Sequence, residues 1–173
     1  MNKFIRIFLC MSIPFGLLMM VQSNLLFGSF LVKENLIGGI VFGGVMALVL
    51  TIMDRYFRKN KSLEINSSVK QQSTIEMPFS YEKTYQLCKE SVMYLHKAKV
   101  KEENLEKGFI LVRTGINIRT WGEVIKVTVT SIENERTLVT IESKPIVITT
   151  MVDYGKNLEN VKIISEYLEP VKA

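Results

Sequence analysis

The stretch LIGGIVFGGVMALVLTIM, Leu36 to Met53, carries no charge, and the eight positions after it hold four basic residues: Arg55, Arg58, Lys59 and Lys61. Eighteen apolar residues match the minimum length of a helix that crosses a hydrocarbon core of ~30 Å. The basic edge fits a cytoplasmic stop, because loops retained in the cytoplasm carry an excess of Lys and Arg. Tyr56 and Phe57, set among those charges, suit the headgroup layer.

A second apolar tract precedes it. Phe4 to Val21, FIRIFLCMSIPFGLLMMV, is interrupted only by Arg6, whose long stem can snorkel to the membrane edge. The tract ends in Met19, Met20, Val21 and Gln22, with no small-x-small cleavage site, and Leu9 precedes Cys10 where a lipoprotein signal needs a small residue. The reading is therefore a retained span rather than a signal peptide. Lys3 and Arg6 mark one end of the pair and Arg55 to Lys61 the other, against Lys33 alone in the connecting segment. This places both termini in the cytoplasm and makes the chain an integral protein of the plasma membrane.

Gly39, Gly43 and Ala47 recur every four residues along the second tract. Such a stripe of small residues lets another helix approach closely, so these three are candidate helix-helix contacts, with the first span or with a second membrane protein. Pro14 and Gly16 are expected to kink the first span.

The rest of the chain differs in character. Of the 173 residues, 74–173 hold 14 Lys+Arg and 14 Asp+Glu, so the net charge of +5 comes from Lys3 and Arg6 and from residues 54–70. A neutral domain with its basicity at the membrane flanks does not fit a nucleic-acid binder, which clusters cations against phosphates. The expected organisation is a two-helix transmembrane hairpin over 1–59, with spans at about 4–21 and 36–53, a polar linker over 60–73, and a cytoplasmic domain over 74–173.

Within that domain the periodicities alternate. Ile75 to Phe79 reads as a short strand, with Ser80 placed to cap the helix that follows. Tyr81, Tyr85, Cys88, Val92 and Leu95 form one apolar face at helical spacing, predicting a helix from Tyr81 to about Lys97. Lys99–Glu103 and Phe109–Thr114 read as a hairpin. Ile125, Val127 and Val129 alternate with Lys126, Thr128 and Thr130, and Val139 and Ile141 continue the pattern after a turn at Glu133–Arg136. Leu158, Val161, Ile164 and Leu168 then predict a closing helix. The fold class is α+β: an antiparallel sheet packed against two helices, preceded by the hairpin.

The opening IEMPFSYEKTYQLCKESV and the closing helix resemble, in element order, the small helix-grip domains of the START-like superfamily. The resemblance covers residues 74–170; the chain is shorter than typical members and lacks their second short helix. It implies a domain that binds apolar ligands or partners.

Chemistry-bearing patterns are sparse. His96 is the only histidine, and on a continuous helix it would stand about 12 Å along the axis from Cys88, too far for proton transfer. Glu102, Glu103 and Glu106 flank a turn with Lys101 and Lys107, a solvated setting. Phosphate-loop, nucleophile-elbow and zinc-protease motifs do not occur, and Cys10 and Cys88 lack metal-ligand spacing. No catalytic, cofactor or metal residue is assigned. The candidate contacts for a ligand or partner are Arg119 and Trp121 in GINIRTWGE, and Gly155 and Lys156 in the DYGKN turn, where backbone amides at a helix start favour anions. The expected function is a non-enzymatic, membrane-anchored domain that binds a protein partner or amphipathic ligand near the bilayer. The alternative is an accessory subunit whose hairpin docks on a larger membrane protein.

Overall fold

The computed structural model describes residues 2–29, 31–61, 63, 68–132 and 136–172, and by its contacts the chain divides into Met1–Tyr56 and Phe57–Ala173. Residues 133–135 of the expected turn, and residues 62 and 64–67 of the expected linker, lie outside the described residues.

The first unit is built from helix α1 (Lys3–Phe27) and helix α2 (Val32–Asn60), whose last turn belongs to the second unit. Both helices are long and apolar enough to cross a membrane. They run well beyond the expected spans, because Gln22 to Phe27 continues α1 until Gly28 closes it with a left-handed φ of 66°. Pro14 is accommodated inside α1.

Their contact is made by small residues. A Cβ on Gly39 would lie 2.8 Å from the Ser12 carbonyl oxygen, and one on Gly43 would lie 2.5 Å from the Ser12 Cβ. Backbones that close can be reached only without side chains between them. Phe15 stacks on Phe42 with ring centroids 4.0 Å apart, and Ala47 is buried. Polar pairs close the two ends: Asn35 Nδ2 donates to Ser23 Oγ at 2.8 Å, and Lys3 pairs with Asp54 at 2.7 Å. Away from this seam, large apolar side chains such as Leu17, Leu18, Val45 and Leu48 are exposed.

The second unit is a five-stranded antiparallel sheet of β1 (Gln71–Met77), β2 (Ala98–Asn104), β3 (Phe109–Thr114), β4 (Glu123–Ser131) and β5 (Thr137–Pro145), ordered β1-β5-β4-β3-β2. Helices α3 (Tyr81–Ser91) and α4 (Lys156–Lys172) cover one face. The inward residues are the ones the alternation selected. Ile125, Val127, Val139 and Ile141 are fully buried and pack with Met77, Cys88, Ile110, Ile164 and Leu168 in one core. Each such aliphatic side chain contributes ~1.5–3 kcal/mol by leaving water.

Three details depart from the periodicity. β1 begins at Gln71 because Gln71 to Thr74, polar and partly wet, pair in register with Ser143 to Thr140 of β5. Helix α3 stops at Ser91 and a single 3-10 turn, Val92–Tyr94, carries the chain on. Val92 and Leu95 still reach the core, but Lys97 has a positive φ of 54° and turns the chain into β2. His96 therefore stands outside α3 altogether. Ser80 occupies the N-cap of α3 without a side-chain capping bond.

Gly43→Leu should loosen the α1–α2 seam by ~1 kcal/mol or more, the value of a good interhelical contact in lipid. Val45→Leu, a change at an exposed position, should not. Cross-linking between cysteines placed at Phe8 and Ala47 reads the difference; equal yields in the two variants would contradict this packing.

Candidate functional site

The chain re-enters the protein interior in the last turn of α2. Arg58 Nη2 meets Asp153 Oδ1 at 3.1 Å, and both side chains are 0% exposed. Taking two charges out of water is costly unless their remaining hydrogen-bonding capacity is filled. Asp153 is filled: Oδ1 also accepts from the Gly155 amide at 3.2 Å, and Oδ2 from Asn157 N at 3.0 Å and Asn157 Nδ2 at 2.9 Å. Asp153 thereby caps the start of α4, where unpaired amides favour a carboxylate. Asn157 Oδ1 in turn accepts from Ser143 Oγ, fixing α4 to β5.

Gly155 completes the junction. Its φ is 75°, and a Cβ would lie 2.9 Å from Leu63 Cδ1 and 3.2 Å from Arg58 Cγ. Glycine is needed for both reasons, and its amide is committed to Asp153 rather than open to an anion. Phe57 packs edge-on against Tyr154 at 5.5 Å. Leu63 is buried and Lys61 is ion-paired, so the segment read as the start of a tether is packed at both these residues.

Arg119 and Lys156, singled out separately in the sequence, meet around Glu159. Arg119 Nη2 reaches Glu159 Oε2 at 2.6 Å, Lys61 Nζ reaches Oε1 at 2.6 Å, and Lys156 Nζ lies 3.8 Å from the same oxygen. Three cations thus share one carboxylate. Burial alone would raise Glu159, but the hydrogen bond from Lys61, the charge of Lys156 and the hydrogen bond and charge of Arg119 outweigh it and hold the carboxyl below its ordinary 4.5. Lys156 moves the other way. Burial lowers it from its ordinary 10.5, and the neighbouring Arg119 adds to the effect while Glu159 opposes it. One Arg119 nitrogen, Nη1, is buried without an acceptor among the described residues.

The loop that carries Arg119, residues 115–122, is braced from within. Asn117 Oδ1 accepts from the amides of Arg119 at 2.8 Å and Thr120 at 3.1 Å. Glu123, fully buried at the start of β4, accepts from the hydroxyls of Thr114 and Thr120. Trp121 points to solvent, 69% exposed.

A separate groove of 330 Å³ runs between the edge strand β1 and α4. Leu63, Leu158 and Val161 supply apolar walls; Gln71, Gln72, Ser73, Lys162 and Ser165 supply polar ones. Ser165 Oγ is buried and lacks a hydrogen-bond partner among the described residues. Its size is at the lower end for small-molecule sites. Nothing in the sequence marked it, since β1 was not expected to reach Gln71.

Reactive groups are held quiet. Burial pushes the Cys88 thiol up to about 12, so the nucleophilic thiolate is suppressed. Among the described residues no group of three His, Cys, Asp or Glu side chains could hold a metal ion.

No protein-family model matches the chain, and no curated protein matches it. Solved structures similar to it include an uncharacterised protein from Bacillus thuringiensis, 11% identical with a TM-score of 0.45 over 60% of this chain and 96% of that one. XoxI from Bacillus cereus is 10% identical with a TM-score of 0.40 over 61% and 99%. A START superfamily protein from Mycobacterium smegmatis is 12% identical with a TM-score of 0.37 over 59% and 98%. Likeness at this level carries nothing about ligand or reaction to this chain.

Glu159, with its folded-state pKa below 4.5, contributes stability that is present above that value and lost as the pH falls through the folded one. Glu159→Gln should lower the thermal midpoint of the full chain in detergent at neutral pH and flatten its decline below pH 4.5. A midpoint that falls with acid equally steeply in the variant would contradict this assignment.

Proposed function

We propose that this protein is a membrane-anchored domain that carries no reaction of its own and binds an amphipathic ligand close to the bilayer. The groove between β1 and α4 is the observation that carries the reading. It combines aliphatic walls with amide and hydroxyl groups, and among the described residues the Ser165 hydroxyl beneath its surface lacks a hydrogen-bond partner. A molecule with an apolar body and an oxygen-bearing end would match both.

Anchoring is supported by two helices of spanning length whose outer faces are apolar. The asymmetry of Lys and Arg around them favours both termini in the cytoplasm. In intact cells an impermeant thiol reagent should then label Ser29→Cys and spare Ser68→Cys, in a Cys10→Ala background. The opposite pattern would reverse the orientation. The seam formed by Gly39, Gly43 and Ser12 occupies the small-residue stripe within the hairpin, which weakens the alternative in which that stripe docks on another membrane protein.

Binding is tested with the full chain in nanodiscs and a fluorescent fatty acid as probe. Saturable binding that disappears in Ser165→Phe, at an unchanged melting temperature, is the expected result. Absence of saturable binding, or binding indifferent to Ser165→Phe, would remove the groove as the site.

A further inference from the structure

Two neighbouring loops at one end of the sheet expose large apolar side chains. The β3–β4 loop presents Ile116, Ile118 and Trp121, and the β5–α4 loop presents Val147 and Ile148; Ile118 is 93% exposed and Ile148 95%. The loops are joined, since Ile146 N donates to Gly122 O at 3.0 Å. Gly122 is required there: its φ is 101° and a Cβ would lie 2.7 Å from the Thr114 carbonyl oxygen. Single exposed apolar residues need no explanation, but a cluster carried on two braced, hydrogen-bonded loops marks a surface that meets something other than water.

We infer that these loop tips insert into the membrane interface, giving the second unit a contact with the bilayer in addition to its tether. The inference rests on the membrane-anchored reading above. Two further observations select lipid as the occupant. The first is reach. Met53 ends the charge-free tract, and Arg58, five residues or about 7.5 Å of helical rise further on, is locked to Asp153. Asp153 is itself five residues, at most about 18 Å of extended chain, from Ile148. The covalent chain and this ion pair therefore limit how far the β5–α4 tip can stand from the end of the apolar tract.

The second is charge. On the helix-free face, one register row next to the loops reads Lys99, Arg113, Val124 and Lys144 across β2, β3, β4 and β5. Its three cations are exposed, and the row contains no acid. Cations bordering an apolar tip fit a surface of anionic headgroups over acyl chains, where tryptophan is also enriched.

Trp121 is the only tryptophan, so its fluorescence reports the loop directly. The full chain is placed one copy per nanodisc in phosphatidylcholine with phosphatidylglycerol, with and without brominated acyl chains. A dye on Val45→Cys, in a Cys10→Ala background, reports the span independently. The expected result is bromolipid quenching of both probes and protection of Trp121 from iodide. Ile118→Asp/Ile148→Asp should abolish quenching of Trp121 while leaving that of the dye and the melting temperature unchanged. Lys99→Gln/Arg113→Gln/Lys144→Gln should weaken Trp121 quenching in anionic discs and leave it unchanged in pure phosphatidylcholine. A quenched dye with an unquenched, iodide-accessible Trp121 would overturn the loop contact and leave the anchor standing. Failure of both probes to quench would overturn the anchor as well. Trp121 shielded from iodide yet untouched by bromolipid would mean a protein contact instead, and quenching that survives the double aspartate variant would also overturn the proposal.

Discussion

The Arg58–Asp153 ion pair is the interaction on which the rest of the second unit depends. Neither side chain touches water. A charge in that position is tolerated only because the carboxylate is satisfied by two backbone amides, an asparagine amide and the guanidinium together. The same four bonds start α4 and hold the chain leaving α2 beside the first turn of the closing helix, where the positive φ of Gly155 and the closeness of Leu63 and Arg58 require glycine. Around this neutral centre lies a cluster with an excess of cations, Lys61, Arg119 and Lys156 on Glu159.

Much of this fold is written locally. β4 and β5 alternate so cleanly that their inward faces could be named residue by residue, and the small residues of α2 announced where a helix could approach. What the sequence hid depends on distant partners. Arg58 has the same appearance as any basic residue after an apolar tract, and its partner is 95 residues away. Gln71 to Thr74 have no strand pattern of their own and are ordered by pairing with β5. Val92 and Leu95 fit a helical period and are buried as expected, yet the chain reaches them by a 3-10 turn, because β2 has to begin at Ala98. Of the candidate site, Arg119 and Lys156 were legible as residues, but Glu159, which unites them, was not. Trp121 was visible as an oddity; that it shares a surface with Ile118 and Ile148 follows only from the adjacency of two loops.

These features divide the labour. The glycine seam is used inside the hairpin, the ion pair and its cationic surround fix the chain to the second unit, and the core leaves Cys88 inert. Among the described residues, the β1–α4 groove and the apolar loop tips are open to other molecules. On the function proposed above both serve binding, and both lie on the second unit.

The most direct test of this account is a double-mutant cycle on the pair, read by hydrogen exchange of the α4 amides in the full chain in nanodiscs. Arg58→Met and Asp153→Asn should each lower the opening free energy of α4 by about 3–5 kcal/mol, because each strands a buried group. The double variant should cost well under the sum, since neither charge is then left alone. Additive losses, or single losses within about 0.5 kcal/mol of zero, would contradict a buried, coupled Arg58–Asp153 pair and with it the fixed junction.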